Sequence, residues 1–73
     1  MIIFATDSGI ERTGYAFFNK KSSSHTLLQS GCIITKKSFQ LEIRLKKIYD
    51  EISSLFKKHR PDILIIEQLF FNT

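Results

Sequence analysis

Two short, almost wholly apolar runs stand near opposite ends of this 73-residue chain, residues 1–6 and 63–66, and each is followed by a carboxylate, Asp7 in one case and Glu67 in the other. Runs of this length, rich in Ile, read as buried strands, and Asp7-Ser8-Gly9 supplies the turn that stops the first. Between them Leu41, Leu45, Ile48, Tyr49, Ile52, Leu55 and Phe56 recur at spacings of three and four, the signature of one apolar face of an α-helix. Ser38 is the expected N-cap. Lys57, Lys58 and His59 suit the negative end of the helix dipole, and Pro61 forbids continuation, so the helix stops by Arg60. A strand, a helix and a second buried strand make a right-handed crossover, which lays the fourth strand parallel to its partner.

Residues 13–19 are aromatic and small, bounded by Glu11-Arg12 before and Lys20-Lys21-Ser22-Ser23-Ser24 after, and read as a second strand leading into a hairpin loop. Residues 25–35 return as a third strand, with Gly31 as its bulge. Three strands joined by short connections form an antiparallel meander, and the crossover then places strand four against strand one. The expected fold is α/β: a mixed sheet in the order three, two, one, four, with the helix covering one face. At this length the chain is one domain with a thin core.

That topology brings Asp7 and Glu67 to the carboxyl ends of neighbouring parallel strands, about 4.8 Å apart. Two carboxylates so placed can share a hard divalent cation, and sheets with parallel strands bind ligands at this edge. The plainer reading is that each acid marks where its strand meets water, and spacing alone does not choose between the two.

Eleven Lys and Arg against seven Asp and Glu give a net charge of +4, which suits a polyanionic partner such as nucleic acid. The bases come in pairs, Lys20-Lys21, Lys36-Lys37, Lys46-Lys47 and Lys57-Lys58. Cys32 stands alone, so neither an internal disulfide nor a thiolate cluster is available, and it is expected as a small buried hydrophobe. His25 and His59 lack a second ligand at metal spacing. The longest apolar stretch is too short for a membrane helix, and the first residues lack the order of a signal peptide, so a cytoplasmic protein is expected.

Several of these segments together resemble the RuvC-type Holliday junction resolvases. Phe4-Ala5-Thr6-Asp7-Ser8-Gly9 followed by Thr13-Gly14-Tyr15 is similar to the family's opening motif, an Asp-Pro-Gly turn before Thr-Gly-Tyr. Ser30-Gly31-Cys32-Ile33-Ile34-Thr35 resembles its third strand and Arg44-Leu45-Lys46-Lys47-Ile48-Tyr49 its first helix. Pro61-Asp62 through Ile66-Glu67-Gln68-Leu69-Phe70 resembles its fourth strand and second acid. The resemblance spans the chain and implies a ribonuclease H-like fold, of which residues 1–73 are the N-terminal part. It implies a Mg2+-dependent endonuclease that cuts four-way DNA junctions as a homodimer, with a branch-migration complex as a further partner. Asp7 and Glu67 are then catalytic metal ligands, and Phe70 stands where the family places an aromatic that stacks on bases at the junction, with core packing as its plainer reading, whereas Phe71 is expected to pack in the core.

Ser8 stands where the family usually has proline, and Ala5 and Ala16 where glycine is common. The family's two remaining acids lie on a later helix beyond Thr73, so the chain as given is expected to be inactive alone and to self-associate through its uncovered fourth strand. Two rivals are a phosphate-binding fold of the actin and sugar-kinase type, disfavoured because Ile10 rather than a hydroxyl or amide residue follows Gly9, and a non-catalytic resolvase-like fragment that binds DNA or a partner chain.

Overall fold

A computed structural model describes residues 1–7 and 9–67, with Glu67 described through its backbone. The elements follow in the order β1 (Ile2–Asp7), β2 (Arg12–Lys21), β3 (Ser24–Ile34), α1 (Leu41–His59) and β4 (Ile63–Glu67). They form one sheet in the order β3-β2-β1-β4. β1 pairs antiparallel with β2 and parallel with β4, and β2 pairs antiparallel with β3. The meander, the crossover and the strand order all match the expectation from sequence.

Strand alternation decides which residues form the core. Phe4 on β1 pairs with Phe17 on β2, so both rings fall on one face. There they meet Phe56 of the helix, with ring centroids at 4.9 Å from Phe4 and 6.3 Å from Phe17. Phe17 is completely buried, and Phe4 and Ile33 nearly so. Such edge-to-face aromatic packing concentrates much of a small domain's burial in few residues. His59 closes the cluster, with its ring 4.4 Å from that of Phe17 and its Nε2 2.7 Å from Gln29 Oε1 on β3. His59 is three residues beyond Phe56 and so shares its helix face, a placement that its basic neighbours conceal in the sequence.

Five local expectations are corrected. The helix starts at Gln40, not at Ser38, because residues 36–39 close their own turn through Phe39 N–H to Lys36 O; the first helical bonds run from Ile43 and Arg44 to Gln40 O. Its other end is as expected: Arg60 adopts φ 50° and caps the helix by donating to Phe56 O. The register shift in β3 falls between the partners of Phe17 and Phe18, which leaves Leu28 unpaired, so Gly31 is not a bulge. Gly31 instead lies under Tyr15, where an added Cβ would be 2.5 Å from the tyrosine hydroxyl oxygen.

Tyr49, counted on the apolar helix face and so expected to pack in the core, is 71% exposed, since the sheet contacts the stripe through Ile48, Ile52 and Phe56 and Tyr49 lies around the helix from it. Cys32 is exposed because its partner is Gly14, on the sheet face that the helix leaves open. β4 is not buried on both faces: Ile65 and Ile66, which point to opposite sides, are 53% and 60% exposed. The helix lies over β1 and β2, and β4 forms the sheet edge among the described residues.

Candidate metal and nucleic-acid site

The parallel ladder between β1 and β4 runs from Ile3 and Ile63 to Asp7 and Glu67 in unbroken register. Asp7 is the last residue of β1 and Glu67 the last of β4, so the two acids are direct partners at the carboxyl ends of adjacent strands. The four apolar residues Ile63, Leu64, Ile65 and Ile66 fix this register by pairing with Ile3, Phe4, Ala5 and Thr6. On the other side Asp7 pairs with Gly14 of β2. Asp7 is exposed and has no ion-pair partner among the described residues.

The loop after Asp7 is held from three directions. Thr13 Oγ1 donates to Gly9 O at 2.7 Å, Thr35 N–H donates to Glu11 O at 3.1 Å, and Thr35 Oγ1 donates to Ile10 O at 2.5 Å. The Thr35 hydroxyl also accepts from Arg44 Nε at 2.9 Å, which ties the helix to the same loop. Thr13 and Thr35 are both nearly fully buried, so these bonds are shielded from competing water. An added Cβ on Gly9 would come within 2.8 Å of Arg12 O, so the chain turns back on itself too closely for any side chain there. Thr13, Thr35 and Arg44 entered the sequence reading only as members of the segments that resemble the family, because a buried Thr inside a strand pattern carries no sign of what its hydroxyl bonds.

Asp7 opens onto the sheet face away from the helix, where Ala5, Gly14, Ala16, Phe18 and Ile65 line a shallow depression beside it. Ala5, Gly14 and Ala16, all small, leave the carboxylate's side of this floor open. Two oxygen-donor acids side by side suit a hard cation. No group of three or more His, Cys, Asp or Glu residues gathers among the described residues. Phe70 and Phe71 lie outside the described residues. None of the described helices is long and apolar enough to cross a membrane.

A mixed sheet with this strand order, one crossover helix and a paired carboxyl end is the ribonuclease H-like arrangement. The chain belongs to the RuvC family: the family model described as crossover junction endodeoxyribonuclease RuvC matches residues 3–73. A RuvC of Brachyspira hyodysenteriae is 39% identical over 72 residues, covering 99% of this chain and 45% of that protein. A RuvC of Alkaliphilus oremlandii is 37% identical over 73 residues, covering 100% of this chain and 44% of its own length. The chain thus spans under half the length of these curated relatives. Among solved structures, Thermus thermophilus RuvC in complex with a Holliday junction substrate superposes with a TM-score of 0.90 at 20% identity, covering 100% of this chain and 48% of that one. Fowlpox virus resolvase in complex with Holliday junction DNA superposes with a TM-score of 0.63 at 24% identity, over 100% of this chain and 44% of that one.

Proposed function

We propose that these residues supply one half of the metal site of an endonuclease that resolves four-way DNA junctions, working as a homodimer in the cytoplasm with Mg2+ and alongside a branch-migration complex. The observation that carries this reading is the register partnership of Asp7 and Glu67 at the carboxyl ends of β1 and β4. Family membership and the junction-bound relatives of the same fold support it.

In this mechanism Asp7 and Glu67 would hold a divalent cation, positioned by a register that the apolar halves of their strands enforce. Bound metal supplies the activated water and the neutralisation of the leaving oxygen that phosphodiester hydrolysis requires. The loop at Gly9, Ile10 and Glu11, tied by the hydroxyls of Thr13 and Thr35, keeps the end of β1 from shifting as DNA approaches. The open floor of Ala5, Gly14 and Ala16 admits the backbone to the carboxylates. Phe70 contributes by stacking on a base at the junction.

The test is a chimera in which these 73 residues replace the matching segment of the Brachyspira hyodysenteriae relative. It is expected to cut a labelled four-way junction in Mg2+ and to spare a duplex of the same sequence. The Asp7→Asn and Glu67→Gln chimeras are expected to bind the junction without cutting it. A folded chimera that binds the junction and leaves it intact sinks the proposal. The 73-residue chain alone is expected not to cut.

A second reading, a non-catalytic module that binds DNA or a partner chain, is favoured by one observation: two acids, rather than three or more, meet among the described residues. It predicts a chimera that binds the junction without cutting it, with binding unchanged by Asp7→Asn and Glu67→Gln.

A further inference from the structure

We propose that the end of the sheet opposite the carboxylates is a second docking surface, one that takes the phosphate backbone of duplex DNA. The inference goes beyond the nuclease reading and rests on how charge is distributed over the fold.

Four segments converge on that end. The β2–β3 hairpin brings Lys20 and Lys21, with Lys20 paired to His25 and Lys21 to Ser24. The amino end of β1 sits beside it through Lys20 N–H to Met1 O. Asp62, at the entry to β4, joins β1 through its N–H to Ile2 O and its carboxylate to the Ile2 N–H, each at 2.8 Å. The last turn and cap of α1 add Lys57, Lys58 and Arg60, with Lys58 Nζ 3.4 Å from Gln29 Oε1 on β3. Lys20, Lys21, Lys57, Lys58 and Arg60 are all exposed.

These five are met at this end by one acid, Asp62. The other six Lys and Arg are Arg12, Lys36, Lys37, Arg44, Lys46 and Lys47, and six acids, Asp7, Glu11, Glu42, Asp50, Glu51 and Glu67, match them in number. Two of those acids are paired directly, Glu11 with Lys37 at 3.6 Å and Asp50 with Lys46 at 2.8 Å. The whole formal excess of +4 therefore belongs to the end of the sheet where β1 begins. β1 separates it from Asp7 by about 17 Å, more than a Debye length at physiological salt.

The hairpin at this end suits the partner. Residues 19–26 read Asn-Lys-Lys-Ser-Ser-Ser-His-Thr, with no apolar side chain. Lys ammonium and Ser or Thr hydroxyl groups suit phosphate oxygens, and the formal excess of +4 complements their charge. Without metal the opposite end carries two adjacent carboxylates and no excess of positive charge, so it offers DNA no net attraction. Binding in chelator therefore isolates the basic end.

The experiment measures binding of a fluorescein-labelled 20-base-pair duplex to the full 73-residue chain by anisotropy, in EDTA and over a range of salt. Two variants remove three charges each. Lys20→Ser/Lys21→Ser/Arg60→Gly strips the basic end, Gly being suited to the positive φ of the cap, and Arg12→Ser/Lys36→Ser/Lys37→Ser strips the carboxylate end. Far-ultraviolet dichroism confirms that both are folded, and Lys20→Glu/Lys21→Glu provides a version confined to the hairpin. The basic-end variants are expected to lose about tenfold or more in affinity, with the slope of log K against log salt falling by about 2 to 3, while the other triple changes less than threefold. Equal losses in the two triples, or an unchanged basic-end variant, would overturn the proposal. So would displacement of the duplex by poly-glutamate at equal charge concentration, which would point to an acidic protein. Failure of the chimera to cut junctions bears only on the nuclease reading, since this measurement uses neither metal nor cleavage.

Discussion

Asp7 and Glu67 are cross-strand partners, the last rung of a parallel ladder that begins at Ile3 and Ile63. Carboxylates directly opposite each other on neighbouring strands repel. Asp7→Asn is accordingly expected to leave stability unchanged or raise it by a few tenths to about 1 kcal/mol in metal-free buffer. With millimolar Mg2+ or Mn2+ the proposed site is expected to reverse the order, wild type gaining stability by mass action, about 2.7 kcal/mol where the ion is at a hundred times its dissociation constant. The variant gains little. Thermal melts of the two proteins with and without the ion check both halves, and equal metal-induced shifts would remove Asp7 from the site.

Thr35 stabilises the loop beside Asp7 and the helix together, donating to Ile10 O and accepting from Arg44 Nε. Thr35→Val keeps the shape and leaves both partners without their bond in a nearly buried place. A loss of about 1 to 3 kcal/mol is expected in urea unfolding, because the unpaired groups pay their desolvation in full. In the chimera, which cuts as proposed, the same substitution is expected to lower the rate of cutting more than the affinity for the junction, since the nearly buried Thr35 acts through the loop on the end of β1.

Gly9→Ala tests the closeness of that loop. The added methyl would stand 2.8 Å from Arg12 O, a backbone atom that cannot turn aside as a flexible side chain can. The loop must shift, and the Thr13 Oγ1 bond to Gly9 O shifts with it. A cost of about 1 to 3 kcal/mol is expected, with amide exchange speeding at Thr13 and Thr35 before it does in β3. A neutral substitution would show that the close approach is not maintained.

Much of this architecture was legible because it follows from period. The six-residue run of β1, the run Ile63 to Ile66 and the three-and-four spacing from Leu41 to Phe56 each admit one element, and a meander on one side of β1 leaves the other side for the crossover strand. The pairing of Asp7 with Glu67 came from that topology together with the family resemblance. The unread features depend on layers and close contacts. Tyr49 and Cys32 have the residue types of a core, but what buries a residue is the layer opposite it, and the helix covers only one face of the sheet. The displaced register in β3 has no signature because Leu27 and Leu28 are both apolar, so alternation does not show which is the extra residue. Gly31 is explained by Tyr15, its partner sixteen positions earlier.

The core concentrates on Phe17, which touches more of the fold than its neighbours do: Phe4 at 4.9 Å, Tyr15 at 6.1 Å, Phe56 at 6.3 Å and His59 at 4.4 Å between ring centroids. Replacing a fully buried ring by a methyl group costs about 3 to 5 kcal/mol, through lost burial and the cavity left behind. Small domains have total stabilities of about that size. Phe17→Ala is therefore expected to unfold the 73-residue chain at room temperature, and Phe17→Leu, which keeps most of the volume, to remain folded with a lower urea midpoint. His59→Ala should cost less than Phe17→Ala, because the imidazole covers the ring from one side while Phe4 and Phe56 remain. If Phe17→Ala retained the far-ultraviolet dichroism and the urea midpoint of wild type, the aromatic cluster could not be what joins the helix to the sheet.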